Sequence, residues 1–185
     1  MRNDSYLKVD KTNNEMYTPF YAVEPLIKYL QLTKYKEICC PFDEDWSAYV
    51  QRFKELGYNV TNSSLLSGTD FFSLDLRPYD VIISNPPFQY KDAVLTKLYK
   101  SGKPFAMLLP LPTLQGNKRA KLFEQYGLQL LSFDKRIGFH SPDSMQKITG
   151  IPCFASAYFC RDFLPGELIV ESLHVFKRPL ISSSV

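Results

Sequence analysis

The stretch from Asp80 to Phe88 constrains the fold of this chain more than any other. Its residues Val81, Ile82 and Ile83 form a continuous apolar run, which is typical of a central strand covered on both faces of a sheet. Two prolines then end the strand, because proline has a fixed φ, donates no backbone N–H and forces the preceding residue into an extended conformation. The sequence therefore predicts a buried strand with a rigid, polar carboxyl end. In open α/β sheets, ligands bind at that end of the strands.

The polar residue at this strand end is Asn85, whose carboxamide has one acceptor oxygen and two N–H donors. Its oxygen and a neighbouring prolyl carbonyl are suited to accept both N–H groups of an amino group on a planar ring, and Phe88 offers a face for that ring. An amino nitrogen held in this way is prepared to attack an electrophilic methyl group, and no general base is needed before the attack. The alternative is that Pro86 and Pro87 only end a strand.

The rest of the chain alternates between strand and helix patterns, which favours a parallel sheet with helices packed on it. We expect one domain over residues 1–185, with flexible residues 1–15 and a folded core over about 16–165. The last two predicted strands, 128–133 and 153–160, are expected to pair antiparallel. The other predicted strands are 37–40, 57–61, 81–83 and 105–109, and the predicted helices are 22–32, 46–56 and 91–101.

The motif Asn-Pro-Pro-Phe at residues 85–88 resembles that of class I S-adenosylmethionine-dependent amino-methyltransferases. Members of that family with this motif methylate adenine in DNA or RNA, or a glutamine side chain in protein. The resemblance extends in motif order from Tyr17 to Pro165, and it is closest to small, compact members such as those that phages and mobile elements encode. It implies a Rossmann-like three-layer α/β sandwich, mostly parallel with an antiparallel end, and S-adenosylmethionine as the cofactor.

The resemblance also implies roles for individual residues. The catalytic residues would be Asn85 and Pro86, which orient the amino group, Pro87, and Phe88, which stacks on the base. Two further elements match the cofactor site: a Tyr-Thr-Pro segment that closes over the methionine end, and an Asp-Phe pair that binds the cofactor's adenine. With the loop after the first strand, the cofactor-binding residues would be Tyr17, Thr18, Pro19, Pro41, Phe42, Asp43, Asp70 and Phe71.

Several of these residues have a purely structural alternative. The loop at 41–45 lacks the glycines that the family has there, and its three acids Asp43, Glu44 and Asp45 are equally typical of a helix amino terminus. Thr18 is a plausible start signal for the first helix. Asp70 is equally compatible with a turn, and Phe71 with the core. At the end of the second strand, where an acid commonly binds a ribose, the chain has Asn62, Ser63 and Ser64 instead.

A compact cluster of cations lies at 117–121, after the loop at the end of the fourth predicted strand. Such a cluster usually marks a solvated helix face, but its position favours contact with phosphates through Lys118, Arg119 and Lys121. The resemblance to amino-methyltransferases implies nucleic acid as the partner, DNA rather than RNA, with the target base flipped out when the substrate is a duplex, and this cluster agrees with that expectation. No separate recognition domain is evident, so loops or a partner protein would supply sequence specificity. The oligomeric state is left open.

Other features limit the function classes. The four cysteines show no paired spacing, which favours free thiols in a reducing compartment, and the two histidines are isolated, so we expect no metal site. No apolar run is long enough to cross a membrane, and a cytoplasmic location is expected. Two alternatives to adenine methylation remain at this point: a catalytically silent methyltransferase fold that binds nucleic acid or protein, and a protein glutamine methyltransferase.

Overall fold

The computed structural model describes residues 16–65, 67–148 and 150–181, and these form four α-helices and seven strands. The expectation that residues 1–15 are flexible lies outside this part of the chain. Most boundaries agree with the sequence prediction to within two residues. The helices are α1 (Phe20–Gln31), α2 (Ala48–Glu55), α3 (Lys91–Ser101) and α4 (Asn117–Tyr126), and the strands are β1 (Glu37–Cys40), β2 (Asn59–Asn62), β3 (Val81–Ser84), β4 (Phe105–Pro110), β5 (Gln129–Phe133), β6 (Ser156–Arg161) and β7 (Leu168–Glu171).

All seven strands belong to one sheet, in the order β2-β1-β3-β4-β6-β5-β7. Strands β2, β1, β3 and β4 are mutually parallel, whereas β6 pairs antiparallel with β4 and with β5. The three-layer α/β fold of the class I methyltransferase type, mostly parallel with an antiparallel end, is thus confirmed.

Two hydrophobic cores lie on the two faces of this sheet because successive strand residues point to opposite sides. Ile38 and Ile83 belong to the core under α1 and α2, while Ile82 faces the core under α3 and α4. All four residues of β3 are buried, as its continuous apolar run predicts. The chain passes from β1 outward to β2 and then returns to the other side of β1 as β3. The carboxyl ends of β1 and β3 therefore form the topological switch point, where open α/β sheets bind ligands.

The folded part extends beyond the predicted limit at about residue 165. The segment Leu168–Glu171, of which the first three residues are apolar, forms β7, which pairs parallel with β5 along four residues. Further along the chain, Leu173 and Leu180 are both buried. The sequence gives only a weak signal here, since β7 is short, lies at the sheet edge and leaves Leu168 and Val170 exposed.

One further expectation is wrong in detail. Thr18 does not cap α1, because the N-cap position is Pro19 and it makes no side-chain cap bond.

Two lysines hold the connector between β2 and β3: Lys97 in α3 and Lys103 just after it. The Lys97 ammonium donates to the carbonyls of Phe71 (2.5 Å) and Leu74 (2.6 Å), and that of Lys103 donates to Tyr79 (2.7 Å). Both lysines thereby fix the connector between β2 and β3.

Within the described residues, no helix has the length and apolar character to cross a membrane. No group of three or more histidine, cysteine or acidic side chains in the same part of the chain is arranged to hold a metal ion.

Candidate active site

Asn85 directly follows β3 at the switch point, and its orientation is set by one hydrogen bond. The side-chain Nδ2 donates to the carbonyl of Met16 at 2.9 Å. Because that carbonyl only accepts, the amide oxygen must face the other way. This oxygen, Oδ1, is buried and has no hydrogen-bond partner among the described residues. Pro86 beside it is buried and Pro87 is exposed. The expected acceptor is therefore present, held in one orientation and unpaired.

The segment at 16–18 lies over this strand end and is held there by a second long-range contact. Tyr17 forms a two-bond antiparallel bridge with His140, with N···O distances of 2.9 and 3.0 Å. The Tyr17 ring also packs edge-on against Trp46 in the loop after β1, at 4.7 Å between ring centroids. His140 is buried, and this burial lowers its pKa. The sequence did not single out His140 or Trp46 as neighbours of the site.

The loop between β1 and α2 contributes a buried carboxylic acid. Asp43 is 8% exposed, and its Oδ2 accepts a hydrogen bond from the hydroxyl of Ser84, the last residue of β3. Desolvation raises the pKa of Asp43 to about 7, although hydrogen bonds from Ser84 and Ser47 act in the opposite direction. This carboxyl group thus titrates near neutral pH and is joined directly to the strand that carries Asn85.

The interpretation of the three loop acids as helix caps is wrong. The N-cap of α2 is Ser47, whose hydroxyl accepts from the N–H of Val50, and the first turn of the helix contains no acid. Glu44 instead accepts a hydrogen bond from Ser64, and Asp45 pairs with Lys54 at 3.1 Å. The acids that follow β1 therefore bind three different parts of the molecule.

Phe42 and Phe71 come together beside β1, with ring centroids 4.8 Å apart. Phe71 is buried in the core under α3, and Phe42 is half-buried against the same core. Asp70 forms a local turn in which its Oδ1 accepts from the N–H of Phe72 at 2.9 Å. No described contact joins the Asp70 carboxylate to Asp43 or Asn85. In this structure Asp70 is a turn residue and Phe71 a core residue. Their role in cofactor binding stays a prediction.

Phe88 begins a single 3-10 turn, Phe88–Tyr90, between Pro87 and α3. Its ring meets that of Phe154 edge-on, with 5.8 Å between centroids. Phe154 belongs to the segment that leads into β6. The aromatic side of the site is therefore built from two segments that are far apart in the chain.

Three further hydroxyl groups, which the sequence did not point to, are buried and unpaired in the described part of the chain, like the Asn85 oxygen. The hydroxyls of Ser63, Thr113 and Ser156 are buried and have no hydrogen-bond partner among the described residues. Ser63 follows β2, Thr113 lies in the turn after β4, and Ser156 pairs with Pro110 at the end of β4. Buried polar groups are nearly always hydrogen-bonded, and these three lie together at the carboxyl edge of the parallel strands, where open α/β sheets bind ligands.

The cationic cluster at the start of α4 is only partly available to a ligand. Arg119 donates to the carbonyl of Thr113 at 2.7 Å and also bonds Asp92 and the carbonyl of Gln115. Its side chain is 12% exposed. Lys118 and Lys121 are exposed on the same helix. Arg119 thus holds the loop after β4 onto α3, and the two lysines carry the accessible charge.

The arrangement links most of the predicted site residues through direct contacts. Asn85 is bonded to the segment that contains Tyr17 and Thr18, and the adjacent Ser84 is bonded to Asp43. Pro41 and Phe42 stand between β1 and Asp43, and Pro19 caps α1 beside Thr18. Asp70 and the α4 lysines lie outside this linked set. The site thus contains three kinds of functional group: the oriented amide acceptor of Asn85, an aromatic pair, and the Asp43 carboxyl, which ionises near neutral pH.

No model of a known protein family matches the chain, and no curated protein matches it. Among solved structures, 11 chains match. One is a Listeria monocytogenes protein described as a "putative class I S-adenosylmethionine-dependent methyltransferase", with 13% sequence identity and a TM-score of 0.45. The match covers 85% of this chain and 65% of that one. A likeness at this level shows nothing about activity.

Proposed function

We propose that this protein transfers a methyl group from S-adenosylmethionine to the exocyclic amino group of adenine in nucleic acid, with DNA as the preferred substrate. The observation that carries the proposal is the buried, unpaired Oδ1 of Asn85, fixed by the Nδ2 bond to the Met16 carbonyl at the carboxyl end of β3. A buried acceptor in a fixed orientation favours a ligand that can donate a hydrogen bond to it. The exocyclic amino group of adenine is such a donor, attached to a ring on which Phe88 would stack.

The residues around β1 fit S-adenosylmethionine, which supplies the electrophilic methyl group when bound. Its sulfonium and amino groups are cationic, and the Asp43 carboxyl offers a negative charge near neutral pH. The buried, unpaired hydroxyl of Ser63 follows β2, where nucleotide-binding sheets commonly bind ribose hydroxyls. Phe42 and Phe71 would give an apolar face to the cofactor's adenine ring. Backbone and side-chain contacts would thus replace the missing glycine-rich turn.

The chain's own residues would act by orientation. The Asn85 oxygen and the Pro86 carbonyl would accept the two N–H groups of the target, which directs the nitrogen lone pair out of the ring plane. Phe88 would stack on one face of the base, with Phe154 supporting the Phe88 ring edge-on. In duplex DNA the base must first leave the stack, and this costs a few kcal/mol. The exposed cations Lys118 and Lys121 would contact the phosphates beside the flipped base.

The proposal is tested first by calorimetric titration of the protein with S-adenosylmethionine and with its demethylated product. Labelled-methyl transfer to single-stranded DNA, duplex DNA, RNA and a glutamine-containing protein extract then distinguishes the substrates. Transfer to adenine in DNA is expected. Transfer to protein alone would replace this proposal with glutamine methylation, which uses the same amide-orienting chemistry.

A catalytically silent fold is the second candidate, and one observation favours it. The loop 41–47 contains no glycine, and the Asp43 carboxyl is already bonded to Ser84. If neither ligand binds in the titration, even with nucleic acid present, the silent fold is the better description.

A further inference from the structure

A groove of about 770 Å³ lies between the connector 72–77 and the outer face of α3, and we name it the α3 groove. Its volume is within the range of roughly 300–1,000 Å³ that is typical of ligand sites. It is distinct from the site described above, since neither Asn85 nor Asp43 lines it. Gln89 and Tyr90 do, and they directly follow Phe88. The α3 groove therefore begins beside the candidate active site and continues along α3.

Aromatic side chains form part of the groove wall. Phe72 is 39% exposed, and its inner edge rests on buried Phe71 with 5.5 Å between ring centroids. Tyr90 is half-buried at the end nearest Phe88. An exposed ring on a rigid support is the element on which single-stranded nucleic acids stack their bases.

The charges that line the groove leave an excess of accessible cations. Its two acids are already paired with arginines: Asp75 with Arg77 at 2.8 Å, and Asp92 with Arg119. The ammonium of Lys97 is turned inward to two carbonyls, as described above.

The remaining cations of the groove are Lys100 and Lys118, one on each of its two helices. Both are exposed, and the described residues include no ion-pair partner for either. The net field in the groove is thus positive, and it attracts an anionic chain.

We infer that the α3 groove binds the single-stranded nucleic acid that flanks the reactive base, with Lys100 and Lys118 on its phosphates and Phe72 against a base. The identity of the reactive base rests on the proposed function, whereas binding in the groove does not require the cofactor. A duplex would present no base face to Phe72, and an acidic peptide has no planar base to stack. Cations and an exposed ring together therefore favour a single strand.

The test measures binding of a short fluorescent single-stranded oligonucleotide by anisotropy over a series of salt concentrations, without cofactor. The main variant is Lys100→Glu with Lys118→Glu. The matched control is Lys34→Glu with Lys36→Glu, two exposed lysines at the amino end of β1, which change the net charge by the same amount. Phe72→Ala tests the stacking contribution separately, because it leaves the charge unchanged.

We expect the groove pair to weaken binding at least about tenfold and to reduce the slope of log K against log salt by about 1.4, since each lost phosphate contact lowers it by about 0.7. Phe72→Ala should weaken binding about tenfold with an unchanged slope. The control pair should bind nearly as the wild type does. Equal weakening by both lysine pairs, no binding by the wild type, or displacement by an acidic peptide at the same concentration as by unlabelled oligonucleotide would each overturn the inference.

Methyl transfer to the same oligonucleotide separates this inference from the proposed function. Groove-dependent binding without transfer would overturn the proposed function and leave the α3 groove as a nucleic-acid site. Methyl transfer with the same KM in the wild type and the groove variants would show that the α3 groove does not bind the substrate strand, and it would leave the proposed function standing.

Discussion

The carboxyl group of Asp43 accepts a hydrogen bond from the hydroxyl of Ser84, across the carboxyl ends of β1 and β3. Asp43 belongs to the loop assigned to the cofactor, and Ser84 directly precedes Asn85, which is assigned to the substrate amino group. One hydrogen bond therefore joins the two halves of the proposed site. The protonation state of Asp43 should affect both of them.

Asn85→Ala should lower methyl transfer by at least about a hundredfold, the effect typical of removing one preorganised polar group from a reaction centre. Affinity for S-adenosylmethionine should stay within about twofold, because, among the described residues, Asn85 bonds none in the loop after β1 and the segment at 16–18 keeps its two backbone bonds to His140. Labelled-methyl transfer and calorimetry on the same samples measure the two effects. The control is Gln31→Ala, an exposed amide at the end of α1. Unchanged turnover in Asn85→Ala would contradict the assignment.

The stability of the protein should depend on pH through Asp43. Its pKa is about 7 when folded against an ordinary value of 3.8, so the folded state holds a proton that the unfolded chain has lost between these values. The contribution of Asp43 to stability is therefore full below the lower value, falls as pH rises toward about 7, and is constant above it.

Asp43→Asn removes this dependence. Between about pH 5 and about pH 8 the unfolding free energy of the wild type should fall by about 2–3 kcal/mol through Asp43, at 1.4 kcal/mol per pKa unit. The variant should not show this fall, so the difference between the two proteins should grow by the same amount. Urea unfolding at the two pH values measures the difference. Asp75→Asn is the control, because Asp75 is exposed and its pKa is lowered to about 2, below this range. A parallel pH response in wild type and Asp43→Asn would rule out a raised pKa at this position.

Affinity for S-adenosylmethionine should rise as pH increases through about 7, because ionised Asp43 attracts a cation and protonated Asp43 does not. In Asp43→Asn the affinity should be lower and nearly independent of pH in the same range. Calorimetric titrations of both proteins across this range provide the comparison. A wild-type affinity that does not change with pH would place the cationic part of the cofactor away from Asp43.

Ser84→Ala should destabilise the protein by roughly 1–3 kcal/mol, since it removes one of the two side-chain hydrogen-bond donors, Ser84 and Ser47, from a buried carboxyl group. It should also raise the pKa of Asp43 further, because the Ser84 hydroxyl acts to lower it. Urea unfolding as a function of pH reports both changes. Ser73→Ala, at an exposed serine in a turn, is the matched control and should have little effect.

Lys97→Met should destabilise the protein by roughly 1–3 kcal/mol, because it removes two hydrogen bonds from a charged donor to the connector carbonyls of Phe71 and Leu74. The connector 67–80 should also become more sensitive to limited proteolysis. Lys100→Met, three residues along the same helix but exposed, should behave like the wild type. If the two variants are cleaved alike, Lys97 does not hold the connector.

Sequence periodicity predicted the central part of this fold well because β1, β3 and β4 are buried on both faces and read as continuous apolar runs. It failed at β7, whose alternate residues Leu168 and Val170 are exposed, so its pattern does not differ from that of an irregular segment. A strand at the edge receives less of its stability from burial, and its sequence is less constrained.

Side-chain partners were harder to predict than elements. Lys97 and Arg119 lie on helix faces where exposed cations are normal, and only the folded connector and the loop after β4 give them carbonyl partners. From the sequence, Asp43 was explained equally well as part of a helix start, and only the folded structure brings Ser84, far along the chain, next to it. Contacts of this kind depend on sheet topology, which local patterns do not encode.

The bridge between Tyr17 and His140 has a consequence for the order of events during synthesis. Domains tend to fold as the chain emerges, from the amino end onward, and contacts between distant residues form slowly. The segment that orients Asn85 emerges before Asn85 itself, yet the anchor of that segment, His140, emerges only long after both. A nascent chain that already has β1 to β4 would thus contain every strand of the switch point but not the bridge that holds the Tyr17 segment over it. In such a chain the proposed site would lack the anchor of its Tyr17 segment until residue 140 is available.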